Sequence, residues 1–396
     1  MLENLSALPP DPILGLSMSY KADTNPHKVD LGAGVYKDDD NHTPIMAAVK
    51  QAQSLWLERE ETKVYAPPAG FEGFNEGMIK LLLGDTHPAL KEQRVTAVQA
   101  PGGCGALRIT AGMLNRCRAG AKVWVSTPTW ANHIPLLGSA GLQLTEYPYY
   151  DYKQHRIDFD AMMDTLQNVD AGDLVLLHGC CHNPSGADLS REQWVALASL
   201  LNERGAVPFV DVAYQGLGDD LDEDVWGLRH LAEQCPEVIV ATSCSKVFGL
   251  YRERVGAVVI IAKDQQTADV CRGQLLNIAR EIYSMPPSYG AALVDIILHD
   301  ADLKQQWVDE VQVMRERITH LRSSFVTRLS NAGAGNRFDY IQQEKGMFSF
   351  LGIGKEQVER MRKDDSIYFV GSSRINVAGL NDNNMDYVVD SLLKVL

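Results

Sequence analysis

Lys246 is the residue of this sequence whose position best suits covalent chemistry. It follows Val238–Thr242, a run of apolar and β-branched residues that is short enough for a buried strand. Because an amine beside a buried strand is poorly hydrated, its pKa is expected to fall. A neutral amine can attack a carbonyl and form a Schiff base. The alternative is an ordinary surface lysine after a strand and a turn, and the surrounding residues decide between the two.

Groups that could bind a phosphate lie close to this lysine. Ser243 and Ser245 precede it and Arg254 follows it, and hydroxyl and guanidinium groups are suitable donors to a phosphate dianion. In the segment PGGCGA, Gly103 stands where a predicted strand gives way to a helix, and a helix N-terminus also binds phosphate. Gly-rich turns are common, so this segment alone is a weak signal.

Unusual side chains also follow other predicted strands, at the edge where open parallel sheets bind ligands. Trp130 could stack on a flat ring or pack in the core. Asn183 precedes a proline, which either orients its amide or marks a plain turn. Asp211 ends a buried strand and needs a cationic partner, such as a pyridinium nitrogen, unless it caps a turn. Together with Tyr214 and the phosphate donors, these are the groups that pyridoxal phosphate requires.

Strand and helix patterns alternate from Arg94 onward, which predicts an α/β fold with a mostly parallel sheet. The seven predicted strands are Val95–Ala100, Lys122–Ser126, Leu142–Tyr147, Asp173–His178, Ala206–Asp211, Val238–Ser243 and Val255–Ile261. The helices predicted before and between them include Ile45–Glu61, Phe71–Leu83, Asp158–Gln167, Arg191–Glu203 and Asp264–Ile282. In the first of these helices, Ile45 and Val49 are expected on the buried face.

A long amphipathic helix from Trp307 to Leu329 predicts the passage into a smaller α+β domain. The short elements predicted after it are Gly346–Leu351, Lys355–Arg362, Ile367–Val370, Arg374–Val377 and Asn384–Val395. The predicted organisation is an N-terminal arm at 1–15, a small domain at 16–40 and 315–396, and a large cofactor-binding domain at 41–314.

Composition argues against several classes of protein. The chain of 396 residues carries a net charge of −14 without clustered cations, which disfavours a nucleic-acid-binding surface. Its first residues lack the features of a signal peptide, and no apolar run is long enough for a membrane span. Seven scattered cysteines indicate a reducing cytoplasm. Cys180, Cys181 and His182 invite a metal interpretation, but vicinal ligands suit zinc poorly, so no metal is predicted.

Eight segments resemble, in this order, the class I aminotransferases of the aspartate and aromatic subfamily, most strongly the bacterial aromatic-amino-acid aminotransferases. The segments are GGCGA, TPTWANH, LLHGCCHNPSGA, DVAYQG, SCSKVFGLYRERVG, YSMPPSYGA, KGMFSF and SRINVAGLN. The resemblance covers essentially the whole chain. It implies the type I fold of pyridoxal-phosphate enzymes, a cytoplasmic homodimer, and amino transfer between phenylalanine, tyrosine or tryptophan and 2-oxoglutarate in a ping-pong cycle, with aspartate as a further substrate.

The resemblance also implies roles for individual residues. Lys246 would bind the cofactor covalently and carry a proton, and Asp211 would keep the pyridine nitrogen protonated. Asn183, in a cis peptide bond with Pro184, and Tyr214 would bind the phenolic oxygen. Trp130 would stack on the ring. The implied phosphate ligands are Gly103, Cys104, Ser243, Ser245 and Arg254, with Tyr65 reaching across from the neighbouring subunit.

Substrate recognition is implied in the same way. Arg374 would bind the α-carboxylate as a bidentate fork, and Arg280 of the partner subunit would bind a distal carboxylate. Gly34 allows a ligand or another structural element to approach the backbone closely, and it is predicted to bind substrate. The other predicted substrate-binding residues are Trp130 and Asn183. Met285 stands where aspartate enzymes have asparagine, and a flexible apolar side chain there favours an aromatic substrate. An aspartate aminotransferase with weak aromatic activity is the alternative.

Three further alternatives are disfavoured. Decarboxylation would require the release of the carboxylate that Arg374 is expected to hold. A nicotinamide dehydrogenase needs a GxGxxG motif, which is not completed after Gly32 and Gly34. A transcription regulator of related fold would need an added DNA-binding module, and the resemblance already begins at Asp11.

Overall fold

The computed structural model describes residues 2–7 and 12–396. Residues 8–11 of the predicted N-terminal arm, together with residue 1, lie outside the described part. Internal contacts divide the chain into a small unit, Met1–Thr43, Ile318–Gln343 and Met347–Leu396, and a large unit, Pro44–Arg317 and Glu344–Gly346. The predicted boundaries, after 40 and before 315, each lie three residues ahead of the corresponding division.

The strands are short to medium in length, and most of the longer ones are almost fully buried. They are β1 Val29–Asp30, β2 Val95–Pro101, β3 Lys122–Thr127, β4 Gln143–Pro148, β5 Tyr150–Asp151, β6 Arg156–Ile157, β7 Leu174–His178, β8 Val207–Val212, β9 Val238–Ser243, β10 Val255–Ile261, β11 Phe348–Phe350, β12 Ile367–Tyr368 and β13 Arg374–Asn376.

The helices vary from single turns to an element of 29 residues. They are α1 Pro12–Ala22, α2 Ala47–Arg59, α3 Glu72–Leu83, α4 Pro88–Lys91, α5 Gly102–Cys117, α6 His133–Gly138, α7 Phe159–Leu166, α8 Arg191–Arg204, α9 Trp226–Gln234, α10 Gln265–Ile282, α11 Tyr289–His299, α12 Ala301–Leu329, α13 Tyr340–Gln343, α14 Lys355–Asp365 and α15 Met385–Val395.

Local sequence explains the bounds of several helices. The side chain of Ser190 accepts from the N–H of Gln193 and the Gln193 side chain accepts in return, which starts α8 with a capping box. Gly205 ends the same helix at a φ of 67°, a conformation that glycine adopts without strain. In α12, the predicted stripe that includes Trp307, Val311 and Phe325 is buried.

The large unit is built around one sheet of seven strands in the order β2-β10-β9-β8-β7-β3-β4. The five strands from β9 to β4 in this order run parallel, whereas β10 is antiparallel to both β9 and β2. The predicted fold class is therefore confirmed. The parallel strands bring the ends of β7 and β8 and the loop after β9 to one edge of the sheet, where the candidate residues follow them.

The small unit has its own core and two short strand pairs. In the first, β1 pairs parallel with β12, and in the second, β11 pairs antiparallel with β13. Phe325 of α12 is fully buried in this core together with Leu31 and Ile375. The pairing of β11 with β13 fixes the backbone on which Arg374 is presented.

Some predictions about local structure were wrong. Helix α2 begins only at Ala47, and Ile45 lies before it with 57% of its surface exposed, so Ile45 does not belong to the buried face. The helix α11 and the hairpin of β5 and β6 were not predicted. In the described part of the chain, no helix is long and apolar enough to cross a bilayer.

Candidate active site

Lys246 lies in the loop between β9 and β10, and its amine approaches the face of an aromatic ring. The Nζ atom is 4.8 Å from the ring centroid of Tyr214. Burial lowers the pKa of the Lys246 amine; the Asp211 carboxylate opposes this shift and the Arg254 charge adds to it. The amine is thus easier to deprotonate than an ordinary lysine, as the sequence predicted for a group that attacks a carbonyl.

The buried carboxylate of Asp211, near the end of β8, is held by a histidine. Asp211 is 8% exposed, and its Oδ2 lies 3.0 Å from Nε2 of His133, at the start of α6. Burial alone would raise the pKa of this carboxyl group. The hydrogen bond from His133 and the positive charges that His133, His178 and Lys246 can carry have the opposite effect, and the pKa is lowered overall. Asp211 is therefore ionised and able to pair with a cation.

Hydroxyl groups form hydrogen bonds with His133 and with two further histidines of the site. The Thr129 hydroxyl lies 2.8 Å from Nδ1 of His133 and 3.1 Å from Nε2 of His178. The hydroxyl of Ser126 lies 3.2 Å from Nε2 of His182. His133, the closest partner of Asp211, was not among the predicted site residues, although it stands in the quoted segment TPTWANH. A histidine in a motif after a strand was the signal that could have identified it.

Because of two of these histidines, we expect the folded protein to lose stability at low pH. Burial and neighbouring His133 lower the pKa of His178 to about 3, and burial, with His178 nearby, lowers the pKa of His182 well below its ordinary value. Unfolded histidine titrates near pH 6.5, so below that pH the unfolded chain binds protons that the folded chain does not. The free energy of unfolding should fall as pH drops from 6.5 towards 4, by about 3 kcal/mol from His178. His182 adds a loss of the same sign.

Chemical denaturation at pH 7, 5.5 and 4 measures this loss. The matched variant His182→Asn removes one of the two titrating groups and should flatten the pH dependence, whatever its effect at pH 7. An unfolding free energy of the wild type that is equal at pH 7 and pH 4 would contradict the assignment.

The groups predicted to bind phosphate meet at the N-terminus of α5. The Arg254 Nη1 atom donates to the Ser245 hydroxyl at 3.3 Å, and the Ser243 and Ser245 hydroxyls are 3.1 Å apart. A Cβ at Gly102 would lie 2.5 Å from Nη2 of Arg254, and one at Gly103 would lie 3.3 Å from the Ser243 Cβ. Only glycine leaves this concavity open, which explains the Gly-rich turn.

Cys104 and Trp130 lie beside this cradle. Cys104 is the third residue of α5, and the Asn132 amide approaches its sulfur at 3.7 Å. Trp130 is half-buried, with its ring edge-to-face with His133 at a centroid distance of 5.2 Å. Trp130 therefore contacts the histidine that binds Asp211, and it is not a fully buried core residue.

Asn183 lies in a loop that its neighbours hold firmly. The Asn183–Pro184 peptide bond is cis, as predicted, and the Thr127–Pro128 bond is cis as well. The Asp188 carboxylate accepts the N–H groups of Cys181 and His182, just before Asn183. Burial places the pKa of this carboxyl group above its ordinary value, while the two N–H donors oppose that shift. These contacts determine the course of the loop and thereby orient Asn183.

A second carboxylate comes close to the adjacent cysteines that follow β7. The sulfurs of Cys180 and Cys181 and an oxygen of Asp224 all lie within 4.8 Å of one another. Asp224 accepts the N–H groups of Gly216, Gly218 and Asp219, so its carboxylate already has a structural function. His182 instead forms hydrogen bonds with the hydroxyls of Ser126 and Ser185, so Cys180, Cys181 and His182 do not form one ligand set.

Two predicted residues point to the surface of the large unit. Tyr65 is 84% exposed, in the loop between α2 and α3. Arg280, in the last turn of α10, is also exposed and donates to the Ser284 hydroxyl. Neither residue is brought to Lys246 within this chain. Met285 lies in the loop that follows α10 and is partly buried.

Arg374 and Gly34 belong to the small unit and lie close together there. Arg374 is 5% exposed, its Nη2 donates to the Gly32 carbonyl at 2.9 Å, and its guanidinium carbon lies 4.3 Å from the ring centroid of Phe348. A Cβ at Gly34 would lie 3.3 Å from the edge of the same ring. The Phe348 ring thus packs against the Arg374 guanidinium and helps to position it, a role that the sequence had not indicated.

Comparisons with known proteins show the family of this chain. Residues 26–392 match the family described as aminotransferase class I and II. The aspartate aminotransferase of Escherichia coli is 45% identical over 100% of both chains, and the aromatic-amino-acid aminotransferase of Pseudomonas aeruginosa is 43% identical over 99% of this chain and 98% of its own.

A solved structure gives the same result. The aromatic-amino-acid aminotransferase of Burkholderia pseudomallei, described as covalently bound to pyridoxal phosphate, superposes with a TM-score of 0.98 at 40% identity, covering 100% of this chain and 99% of its own. The predicted family is confirmed. With its matching sequence, sheet and overall length, this chain belongs to the class I and II aminotransferases.

Proposed function

We propose that this protein is a pyridoxal-phosphate-dependent aminotransferase that exchanges the amino group between aromatic amino acids and 2-oxoglutarate, and that also accepts aspartate. The observation that carries the proposal is the grouping around Lys246. An amine with a lowered pKa, an ionised buried carboxylate and a glycine-walled cradle with Arg254 belong to one unit of the fold. The Burkholderia relative with its covalently bound cofactor supports the same conclusion.

The residues of the large unit fit the cofactor. The concavity at Gly102, which a Cβ would fill, is lined by Arg254 and suits a phosphate dianion. The ionised Asp211 suits a protonated ring nitrogen, and His133 keeps the carboxylate in its charged form. When bound, pyridoxal phosphate supplies a carbonyl for covalent attachment of the amino group and a ring that accepts the electron pair of the substrate Cα.

The chain's own residues supply the remaining functions. Lys246, as a neutral amine, would accept the proton of the substrate Cα on its Nζ and return it later in the cycle. Asn183 and Tyr214 would hold the phenolic oxygen of the cofactor, and Trp130 would stack on its ring. Arg374, supported by Phe348, binds the α-carboxylate with two parallel N–H groups.

We also propose that the active unit is a cytoplasmic homodimer. Tyr65 and Arg280 are exposed polar residues without a function in their own chain's site. Val64, next to Tyr65 in sequence, and Leu57 of α2 are exposed apolar residues that suit an interface. In this arrangement Tyr65 of the partner subunit reaches the phosphate, and Arg280 of the partner subunit binds a distal carboxylate. The cysteines are all unpaired, which suits a reducing compartment.

The preference for aromatic substrates rests on Met285. Its thioether chain is flexible and apolar, so it can pack against a phenyl ring near Arg280 when that arginine turns outward. The Pseudomonas relative, named for aromatic amino acids, supports this proposal. The Escherichia coli relative is named an aspartate aminotransferase, and an enzyme of that preference is therefore the alternative.

A steady-state comparison of phenylalanine and aspartate decides between them. We expect the wild type to have the higher kcat/KM for phenylalanine. Met285→Asn should shift the ratio towards aspartate by roughly 5- to 150-fold, the equivalent of about 1–3 kcal/mol of apolar burial. The control Met285→Leu stays apolar and should keep the wild-type ratio. A wild type that prefers aspartate, with a ratio unaffected by Met285→Asn, would instead favour the alternative.

A further inference from the structure

The small unit contains a polar cavity that the proposed catalytic function does not use. Its volume is about 250 Å³, and its walls come from the segment around Lys28 and Asp30, from Lys37, and from the asparagine-rich turn before α15. None of the lining residues belongs to the phosphate cradle or carries Arg374. A space of this size is slightly smaller than most pockets for drug-sized ligands, and it is suited to a small metabolite.

Lys28 places a positive charge in this cavity. Its ammonium donates to two neutral acceptors, the backbone carbonyls of Tyr20 at 2.9 Å and Asp23 at 2.7 Å, and lies 4.6 Å from the Tyr20 ring centroid. The Asp23 carboxylate is directed elsewhere, to the N–H of Asn25 and the Tyr368 hydroxyl. Two of the three ammonium N–H groups are therefore used by carbonyls, and the third is available to an acceptor in the cavity.

The other charges on the cavity wall neutralise each other. One oxygen of Asp30 accepts the N–H groups of Gly32 at 3.0 Å and Ala33 at 3.2 Å. The other pairs with the ammonium of Lys37 at 3.1 Å, and both side chains are mostly buried. Asp30 and Lys37 compensate each other, whereas Lys28 forms no salt bridge with a carboxylate among the lining residues. The Asp23 carboxylate, which is not a lining residue, interacts with Lys28 electrostatically, and a ligand carboxylate would be the acceptor that pairs with Lys28 in the cavity.

Neutral donors complete the recognition surface. Asn383, whose backbone N–H is held by the Asn381 side chain at 3.0 Å, is exposed at the cavity and offers its amide. Tyr387 adds a phenol ring to the wall. One ammonium and one amide suit a singly charged, planar acceptor group, whereas a phosphate dianion would require more cationic donors.

We propose that this cavity is a second ligand site, which binds the carboxylate of a small organic acid through Lys28. The site is separate from the α-carboxylate position at Arg374. It is nevertheless close to it along the chain, since the loop held by Asp30 includes Gly32, whose carbonyl accepts from Arg374. The ligand class is defined by charge and size: a short mono- or dicarboxylic acid.

Equilibrium dialysis of the holoenzyme with labelled succinate tests this site. Three proteins are compared: the wild type, Lys28→Met, and the control Lys21→Met, which removes an exposed lysine at the end of α1 outside the cavity. Any binding at Arg374 is common to all three and cancels. We expect Lys28→Met to bind one succinate fewer per chain than the wild type, and Lys21→Met to bind the same number.

A second variant keeps the test decisive if Lys28→Met folds poorly. Asn383→Asp leaves Lys28 and its two carbonyl acceptors in place but adds a negative charge to the wall, so it should also lose one succinate per chain. Equal stoichiometry in the wild type, Lys28→Met and Asn383→Asp would overturn the proposal, as would an equal loss in Lys21→Met. Displacement of this succinate by equimolar phosphate would overturn the assignment to carboxylates.

The result is independent of the proposed catalytic activity. Lys28 has no place in the catalytic arrangement, so Lys28→Met should keep the wild-type kcat for amino transfer. If none of these proteins transferred an amino group, the proposed function would be wrong. The number of succinate molecules bound per chain would still test the second ligand site.

Discussion

Replacement of Lys246 by alanine is expected to abolish amino transfer, with kcat lowered by roughly 10⁴-fold or more. The change removes both the covalent attachment point and the amine that carries the proton, and a positioned acid–base group alone contributes up to about 10⁴-fold. Stopped-flow and steady-state assays with tyrosine and 2-oxoglutarate measure the loss. The conservative control Lys246→Arg keeps the charge near Asp211 but offers no neutral amine, so it should be equally inactive. Full activity in either variant would refute the mechanism.

The same variant tests whether Arg280 acts across a subunit interface. Lys246→Ala chains are mixed with Arg280→Ala chains under conditions that exchange subunits, and the aspartate reaction is assayed. If Arg280 serves the partner's site, each mixed dimer contains one intact site, and random pairing restores about a quarter of the wild-type activity. If Arg280 serves its own chain, no intact site can form, and the mixture stays as inactive as the two separate proteins.

Replacement of Asp211 by asparagine is the second change with a large expected effect. The amide retains the size of the side chain and can still bind His133, but it carries no charge with which to hold a proton on a ring nitrogen. Leaving such a buried cation without its partner costs about 3–5 kcal/mol, so kcat should fall roughly 10²- to 10⁴-fold. The measurement is kcat with saturating cofactor, together with the cofactor dissociation constant.

The matched control for this change is His133→Asn. It removes one hydrogen bond to the carboxylate but leaves the charge of Asp211, so its effect should be smaller, about 10-fold, the order expected for one hydrogen bond to a charged group. The order of the two variants is the decisive result. If His133→Asn proved as damaging as Asp211→Asn, or if Asp211→Asn kept a normal kcat, the charge of Asp211 would not be what matters.

The large unit was predictable because its strands are continuous apolar runs. Val238–Ser243 and Val255–Ile261 have the predicted bounds, since runs covered on both faces end where polar residues begin. The positions of Lys246 and Asp211 followed from the same logic. The order of the strands did not, because an alternating strand–helix pattern does not specify which strands become neighbours, and the antiparallel direction of β10 depends on pairing with β2 and β9.

The roles of residues that act by positioning other residues could not be predicted from the sequence. His133 has no special spacing from Asp211, and the two meet only because α6 follows β3, which lies two strands from β8 in the sheet. Phe348 appears in the sequence as an ordinary apolar residue, and only its pairing strand places it beneath Arg374. The cavity at Lys28 joins residues from the two ends of the chain, which no local pattern connects.

That joining of the two ends has a consequence for the order in which the protein is made. In β1, Val29 and Asp30 pair with Ile367 and Tyr368, residues near the other terminus. A ribosome synthesises Val29 before, and Ile367 after, the continuous segment Pro44–Arg317, which holds the whole seven-stranded sheet. The nascent chain therefore carries Val29 and Asp30 unpaired until Ile367 and Tyr368 have been made, and the small unit is completed only after the whole sheet of the large unit has been synthesised.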